Sequence, residues 1–308
     1  MPADALAAGG PHGWLVIDKP QGVTSNHVVG FVRNRLRVKV GHAGTLDPLA
    51  TGVLPLALGE ATKTASYAMT GHKRYRFRVR WGVARDTLDS EGRVVAETTR
   101  RPEPAEIAAV LPRFVGLLQQ TPPAYSALKL GGRRAYALAR AGELPRLAAR
   151  PVEIVSLSLI ATPDRDHASF EAVVGKGAYI RILAQDLARA LGTLGHVVEL
   201  RRLSVGRFGE AQAISLDFVD RHRHSLAASG HLLPLATALD DIPALALTAA
   251  EAARLRQGQR VRLAHPDSRG AFDRLDPGTV VSARHGDAVI AVARVEDGGL
   301  APVRVINQ

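Results

Sequence analysis

The chain has 308 residues, with 40 Lys and Arg against 29 Asp and Glu, a formal charge of +11, and no cysteine. This length predicts about two domains, and the missing cysteine excludes disulfide frameworks and thiolate metal sites. The positive charge indicates a polyanionic partner, and it favours nucleic acid over a membrane surface. Nonspecific association with ribosomes or a genomic bias toward arginine would also explain the charge.

The first residues lack the features of a targeting segment. Residues 1–13 contain Asp4 and have no apolar core long enough for a signal peptide. No later apolar run approaches the length of a membrane span. We therefore expect a soluble, cytoplasmic protein.

The first predicted elements are a short strand and a helix, in the sequence GWLVIDKPQGVTSNHVV of residues 13–29. Pro20 and Gly22 mark a turn between them, and Ser25 is the predicted helix cap. The apolar side chains of this helix recur at helical spacing, at Val28, Val29, Val32 and Leu36.

Residues 41–63, GHAGTLDPLATGVLPLALGEATK, are the most informative stretch of the chain. Asp47 is followed by Pro48, which disfavours helical backbone at the preceding residue, so we expect Asp47 on a loop. The apolar run that follows predicts a buried strand, although its periodicity does not exclude a buried helix. After it, GEATKTASYAMTG predicts a helix that ends at Gly71. Asp-Pro is also a common turn opener, so the dipeptide alone does not predict catalysis.

Residues 73–81, KRYRFRVRW, alternate strictly between arginines and the residues Tyr75, Phe77, Val79 and Trp81. This period of two predicts a strand with one apolar and one basic face. Tyr75 would ordinarily be the first core residue of the apolar face.

The middle of the chain predicts strands at residues 152–160 and 168–174, followed by an amphipathic helix from Ile180 that stops at Gly192 and has Arg181 in its first turn. Lys176 lies between two glycines, but the spacing of a phosphate-binding P-loop is absent there, which disfavours nucleotide hydrolysis. HVVELRRLSVGRF predicts a further strand containing Leu200, an ordinary core position.

Residues from about 215 to 246 show no persistent period and predict a linker. His222 and His224 have no further ligand pattern, so we predict no metal site. Thr248 and Glu251 form a capping box that opens a helix ending at Gly258. Short β-rich pieces follow and predict a small barrel.

The sequence GHAGTLDPLATGVLPLALGEATK resembles the signature of the TruB family of tRNA pseudouridine synthases, and the family's catalytic aspartate falls on Asp47. The DKP-x-G-x-TS string also resembles the start of that family and would place Lys19 near the site. The resemblance is strongest over residues 14–82 and 119–208. The family's substrate-binding residues fall on His42, Tyr75, Tyr179, Arg181 and Leu200.

The resemblance implies a role for each of these residues. His42 would fill the space that the target base vacates. Tyr75 would stack on the base, Tyr179 would lie against it, and Leu200 would form a wall of its pocket. Arg181 would pair with Asp47, as a guanidinium that orients a carboxylate.

The resemblance also implies the fold and the activity. We expect an α+β protein: residues 1–245 form a pseudouridine synthase catalytic domain with a mixed, mainly antiparallel sheet flanked by helices, and residues 246–308 form a small, β-rich, PUA-like RNA-binding domain. The implied reaction converts the T-loop uridine of tRNA, position 55, to pseudouridine by base flipping, without cofactor or metal. The implied partner is the T-arm of tRNA, with no protein partner, and the protein would be a monomer.

Two other functions remain open at this point. The protein could be a tRNA-binding chaperone without essential catalysis, or a synthase of the same fold that acts on another RNA. The motif contains one acid, so the pair of carboxylates that a glycosidase uses is missing. It leaves open whether Asp47 attacks the base, attacks the sugar carbon or transfers a proton.

Overall fold

The computed structural model describes residues 10–126, 128–130, 132–134, 143, 147–263, 266–296 and 298–307. Most of the leader considered above, residues 1–9, lies outside the described residues. The described strands are β1 (Gly13–Lys19), β2 (Val40–His42), β3 (Thr51–Leu58), β4 (Lys73–Trp81), β5 (Val83–Arg85), β6 (Val94–Glu97), β7 (Gly116–Gln120), β8 (Lys129–Leu130), β9 (Arg133–Arg134), β10 (Arg150–Asp164), β11 (His167–Val174), β12 (Gly195–Val205), β13 (Phe208–Gly209), β14 (Ala244–Ala246), β15 (Val280–His285), β16 (Ala288–Glu296) and β17 (Gly299–Val305).

The described α-helices are α1 (Ser25–Leu36), α2 (Ala65–Ala68), α3 (Pro104–Val110), α4 (Ile180–Ala190), α5 (Leu216–Arg221), α6 (Ala249–Arg256) and α7 (Pro266–Phe272). Short 3-10 helices add turns at Gly59–Thr64, Leu111–Phe114, Glu210–Gln212, Leu226–Ala228 and Leu235–Leu239. None of the described helices combines the length and apolar character that crossing a bilayer requires.

The main sheet has nine strands, in the order β1-β3-β12-β4-β11-β10-β7, with β2 beside β3 and β13 beside β12. Strands β3 and β12 run parallel and the other described pairs of this sheet are antiparallel. The predicted α+β class with a mixed, mainly antiparallel sheet is therefore confirmed.

Strand β4 confirms the predicted alternation. Phe77, Val79 and Trp81 are at most 1% exposed. The ring of Phe77 stacks on Phe170 of β11 with centroids 5.3 Å apart, and helix α4 supplies further apolar contacts to the same core. The arginines of β4 alternate with these residues, and Arg74, Arg76 and Arg78 pair with carboxylates of β11 and β12.

Three local predictions differ from the structure. The cap of α1 is Thr24, whose hydroxyl accepts a hydrogen bond from the His27 amide, and not Ser25. The helix predicted to end at Gly71 is a 3-10 turn followed by the single turn of α2. The third is the predicted linker from residue 215: it contains α5, and its Leu233 pairs with Trp14 of β1 through backbone hydrogen bonds of 2.8 Å.

The last part of the chain also differs in detail. Helix α6 and its Thr248–Glu251 capping box are confirmed. Strands β14 to β17 form a four-stranded sheet, and no β14–β17 pairing closes it into the predicted barrel within the described residues. The first of the β-rich pieces predicted after α6, QRVRLA from residue 259, forms no strand over its described residues 259–263, where Val261 makes an isolated bridge to Leu300. Helix α7 was not predicted, because its sequence PDSRGAF has no apolar period.

Candidate active site

Asp47 lies on the loop between β2 and β3, as predicted, with its side chain 33% exposed. The Gly22 amide donates to the Pro48 carbonyl at 2.9 Å, which ties this loop to the turn after β1. Gly52 has φ +97°, and a Cβ there would collide with the Arg202 carbonyl of β12. A glycine is therefore needed where the loop enters the sheet.

Arg181, in the first turn of α4, is the centre of the site. It is 4% exposed, and its Nε lies 2.9 Å from Asp47 Oδ2. Nη1 lies 3.5 Å from Asp89 Oδ2 and donates to the Thr87 carbonyl at 2.8 Å. Nη2 donates to the Tyr125 carbonyl at 2.8 Å. The buried guanidinium thus links α4 to the Asp47 loop, to the turn at residues 87–89 and to the segment at Tyr125. Its contact with Asp47 orients that carboxylate.

Asp89 was not predicted as a site residue. It is 3% exposed and accepts hydrogen bonds from the Thr87 hydroxyl at 2.6 Å and the Glu91 amide at 3.1 Å. Leu88, between them, has φ +64°, a strained conformation for a leucine that persists where surrounding contacts impose it. The sequence signal would have been the polar turn DTLDSEG after β5, but nothing in it indicates contact with α4.

Acidic and basic side chains both lie near Asp47: Asp89 and Glu91 are the acids, and Arg181 and Lys19 are the bases. Asp47 and Asp89 share the single charge of Arg181. Burial raises the pKa of Glu91, and the Asp89 and Asp47 carboxylates add to this effect while Arg181 opposes it. Arg181 is therefore the shared counter-ion of Asp47 and Asp89, and the orientation of the Asp47 carboxylate toward a ligand depends on it.

Arg202 is a second buried arginine that sequence reasoning missed. It is 1% exposed, donates from Nε to the Val53 carbonyl at 2.8 Å, and donates from Nη2 to the Gly44 carbonyl at 3.0 Å. Arg202 thereby ties β3 and the start of the Asp47 loop to β12. The RR pair in the sequence gave no sign that its two members differ, with Arg201 on the surface and Arg202 in the core.

Lys19 also supports the Asp47 loop. Its side chain is fully buried, and Nζ donates to the carbonyls of Pro20 and Val23 at 2.8 Å and of Pro48 at 3.2 Å. Lys19 therefore lies near the site, as the resemblance implies, and these hydrogen bonds go to backbone carbonyls.

The pKa of Lys19 predicts a pH dependence of stability. Burial lowers this pKa to about 8 from its ordinary value of 10.5, although Asp47 opposes the shift. Between these pH values the unfolded chain binds more protons, so the free energy of unfolding should rise with pH. Urea titrations across pH 8 to 10.5 should show a smaller rise for Lys19→Met than for the wild type. The exposed Lys39→Met is the control, and an equal rise in both variants would contradict this prediction.

Ser25 connects α1 to the residue before Asp47. Its buried hydroxyl donates to the Leu46 carbonyl at 3.0 Å and accepts from the Leu46 amide at 2.8 Å. We predict that Ser25→Ala lowers kcat and destabilises the protein by about 1–3 kcal/mol, because the Leu46 groups lose their partner. Thr24→Ala should cost about 1 kcal/mol through the lost cap and leave kcat unchanged. Urea unfolding and turnover measurements on both variants check this, and equal kcat values would refute it.

The remaining predicted residues lie in or beside β2, β4, α4 and β12, at His42, Tyr75, Tyr179 and Leu200. Tyr179 caps α4, and its amide donates to Gln120 Oε1 at 2.9 Å. Tyr75 is half-buried against the main core. Leu200, 7% exposed, lies opposite Phe77. Tyr75, Tyr179 and Leu200 make no hydrogen bond or ion pair with Asp47 within the described residues. His42 ends β2, where it pairs with Leu56 and is half-buried.

A cleft of about 320 Å³ opens where β3 and β12 separate, just after the Asp47 loop. Leu49, Thr51 and Leu200 line its apolar part, and the charged side chains Arg76, Arg78, Glu199 and Arg201 line its rim. Strand β12 pairs with β3 only at Arg201 and Arg202, so the edge of β12 near Leu200 is left beside this opening. No group of three or more His, Asp or Glu side chains placed to hold a metal occurs in the part of the chain that the structure describes.

Comparisons with known proteins agree with this arrangement. Residues 33–180 match the model of the TruB family pseudouridylate synthase N-terminal domain, and residues 181–240 match the tRNA pseudouridylate synthase B C-terminal domain. The chain is 52% identical to tRNA pseudouridine synthase B of Rhodospirillum rubrum and 47% identical to that of Caulobacter vibrioides, in each case over 96% of both chains.

Solved structures show the same fold at lower identity. One is an H/ACA RNP bound to a substrate RNA containing 2′-deoxyuridine, with a TM-score of 0.72, 21% identity, and coverage of 96% of this chain and 86% of the other. A Cbf5-Nop10-Gar1 complex matches with a TM-score of 0.71 and 23% identity, over 96% of this chain and 84% of the other. Together with the family-model matches and the curated relatives, these findings establish that the chain belongs to the TruB family of pseudouridylate synthases.

Proposed function

We propose that this protein converts a uridine of tRNA to pseudouridine, with Asp47 as its catalytic carboxylate. The observation that carries the proposal is the partly exposed Asp47, held at 2.9 Å by the buried Arg181, in a chain 52% identical to a tRNA pseudouridine synthase B. Formation of pseudouridine breaks the N1 glycosidic bond, turns the uracil and joins C5 to the same sugar carbon. The C5 proton is released and N1 takes up a proton, so the product is an isomer of the substrate.

In this proposal Asp47 is the only carboxylate that reacts. Asp89 is the nearest alternative, but its side chain is 4% exposed and faces Arg181. Asp47, with a third of its side chain exposed, can reach a bound nucleotide. It acts as the nucleophile toward the base or the sugar carbon, or as the group that transfers the proton.

The target uridine is flipped out of its stack to reach Asp47, which costs a few kcal/mol of unstacking. We propose that Tyr75 stacks on the extruded uracil, that Tyr179 and Leu200 border it, and that His42 occupies the vacated space. The assignment is supported by Tyr179 at the start of α4, two residues before Arg181, and by Leu200 in the lining of the cleft that follows the Asp47 loop. The charge of +11 supplies attraction to the tRNA phosphates, so binding should weaken steeply with salt.

We further infer that the target is the uridine at position 55 in the T-loop, bound through the T-arm by a monomer in the cytoplasm. The test is an unmodified tRNA transcript, with pseudouridine mapped along its sequence after reaction. The expected result is one pseudouridine, in the T-loop, which disappears when that uridine is replaced by cytidine. Modification at another position alone, or of a ribosomal RNA fragment in preference to tRNA, would contradict the inference. Tight tRNA binding without any pseudouridine would favour a binding chaperone instead.

A further inference from the structure

The C-terminal end of the chain is hydrogen-bonded to the segment that follows β3, the strand after the Asp47 loop. Glu60 and Lys63 lie in the 3-10 turn Gly59–Thr64, directly after β3. Lys63 Nζ donates to the Val305 carbonyl at 2.8 Å, and the Asn307 amide donates to Glu60 Oε2 at 2.6 Å. Glu60 and Lys63 also pair with each other at 2.6 Å. We call Glu60, Lys63, Val305 and Asn307 the terminal clamp.

The clamp is anchored on its catalytic side as well. The Glu60 amide donates to His12 Nδ1 at 3.0 Å, and the Gly59 amide donates to the Lys39 carbonyl at 2.8 Å. Burial raises the pKa of Glu60, but the Asn307 amide and Lys63 outweigh burial and hold the pKa below its usual range. The Glu60 carboxylate is therefore charged at neutral pH and its two bonds are charge-assisted.

An apolar core lies beside the clamp and is shared by both sheets. Val289, Val292 and Ile306 of the C-terminal sheet belong to the same buried cluster as Trp14 and Ala57 of the main sheet. The C-terminal sheet is thus packed on β1 and β3, the strand that starts four residues after Asp47. A displacement of the C-terminal sheet would have to break the clamp and open this core.

The C-terminal region presents an exposed basic surface. Arg254, Arg256, Arg260 and Arg262 lie on exposed positions within nine residues of sequence. Among these four, Arg260 alone forms an ion pair in the described structure, with Glu296 at 2.7 Å. Exposed arginines of this kind bind phosphates.

We propose that Glu60, through the terminal clamp, positions the C-terminal arginine surface relative to Asp47 so that both contact one tRNA as a rigid unit. This inference rests on the proposed tRNA substrate. Two RNA contacts on one rigid body bind with a high effective concentration, which is lost when their connection loosens. Glu60 is a positioning residue here, because it acts through the C-terminal strand and touches no reacting atom.

The test compares intact tRNA with an isolated T-arm hairpin, which carries the target uridine but lacks the rest of the tRNA. Glu60→Ala removes the acceptor, and Asn307→Pro removes the amide hydrogen that Glu60 accepts while leaving Glu60 and its pairing with Lys63 in place. Glu106→Ala is the matched control, since Glu106 also accepts a backbone amide, that of Glu103 at 2.7 Å, and pairs with a cation, Arg100, at 2.5 Å. It lies in α3, away from the C-terminal sheet.

We expect both clamp variants to raise the dissociation constant for tRNA about tenfold and to leave that for the hairpin unchanged. The salt dependence of tRNA binding should become shallower and approach that of the hairpin, because fewer phosphates are contacted. An unchanged affinity for tRNA, or an equal loss for tRNA and hairpin, would overturn the proposal. Dissociation constants report on the clamp whether or not pseudouridine forms, so a failure of the proposed reaction is recognised separately.

Discussion

Asp47→Asn is expected to reduce pseudouridine formation by at least about 10³-fold, the scale of losing a catalytic group, without loss of tRNA affinity. Asparagine has nearly the same shape but cannot act as a carboxylate nucleophile or base. The fold should persist, because Arg181 keeps Asp89 and the carbonyls of Thr87 and Tyr125 as partners. The measurements are single-turnover rates of pseudouridine formation and the dissociation constant for the same tRNA.

Asp18→Asn is the control for this experiment. Asp18 is 41% exposed and pairs with Arg201 at 3.0 Å, and it makes no ion pair with Arg181 in the described structure, so its loss should leave the rate unchanged. A rate for Asp47→Asn within tenfold of the wild type would show that Asp47 is not the reacting group.

Arg181→Met is expected to impair both stability and catalysis. The substitution leaves the buried Asp89 carboxylate without a counter-charge, and removing one partner of a buried pair costs about 3–5 kcal/mol. Asp47 would lose the contact that orients it, so kcat should fall more than the affinity for tRNA. Adding Asp89→Asn should restore part of the stability, because the unpaired buried charge is removed, but it should not restore kcat. Urea unfolding and steady-state kinetics of the single and double variants check both expectations.

Arg201 provides a control that matches Arg181 in its partners and differs in burial. It pairs with Asp18 and Glu210 at 3.0 and 2.6 Å, with its side chain 36% exposed. Exposed pairs contribute at most about 1 kcal/mol each, so Arg201→Met should destabilise the protein far less than Arg181→Met. Similar losses in both variants would mean that burial of the Arg181 network does not determine its contribution.

The sequence predicted those features of the site that follow from residues adjacent in the chain. The proline after Asp47 and the glycines around it placed the carboxylate on a loop, and the strict alternation of β4 placed Tyr75 on the apolar face. The pairing of Arg181 with Asp47 was implied by the family resemblance, because 134 residues separate the two positions and no local pattern joins them. In the structure Arg181 Nε lies 2.9 Å from Asp47 Oδ2, as the resemblance implies.

Residues whose role arises only in the folded chain were missed. Asp89 meets Arg181 because the segment after β5 runs beside β12, where Asp89 bridges Val197. Arg202 is buried because β12 meets β3 at that position. Thr24 and Ser25 are both good capping residues, so the sequence could not decide which would cap α1 and which would bind Leu46. The predicted linker failed for a similar reason, since its short elements gain order by packing on β1.

The central claim is that Asp47 catalyses formation of pseudouridine in tRNA, and release of tritium from tRNA labelled at uracil C5 tests it most directly. Each conversion frees the C5 position to form the new bond to the sugar, so each pseudouridine releases one tritium. We predict release by the wild-type protein, in an amount equal to the pseudouridine formed, and none above background by Asp47→Asn. Binding of tRNA by both proteins with no release from either would contradict the claim.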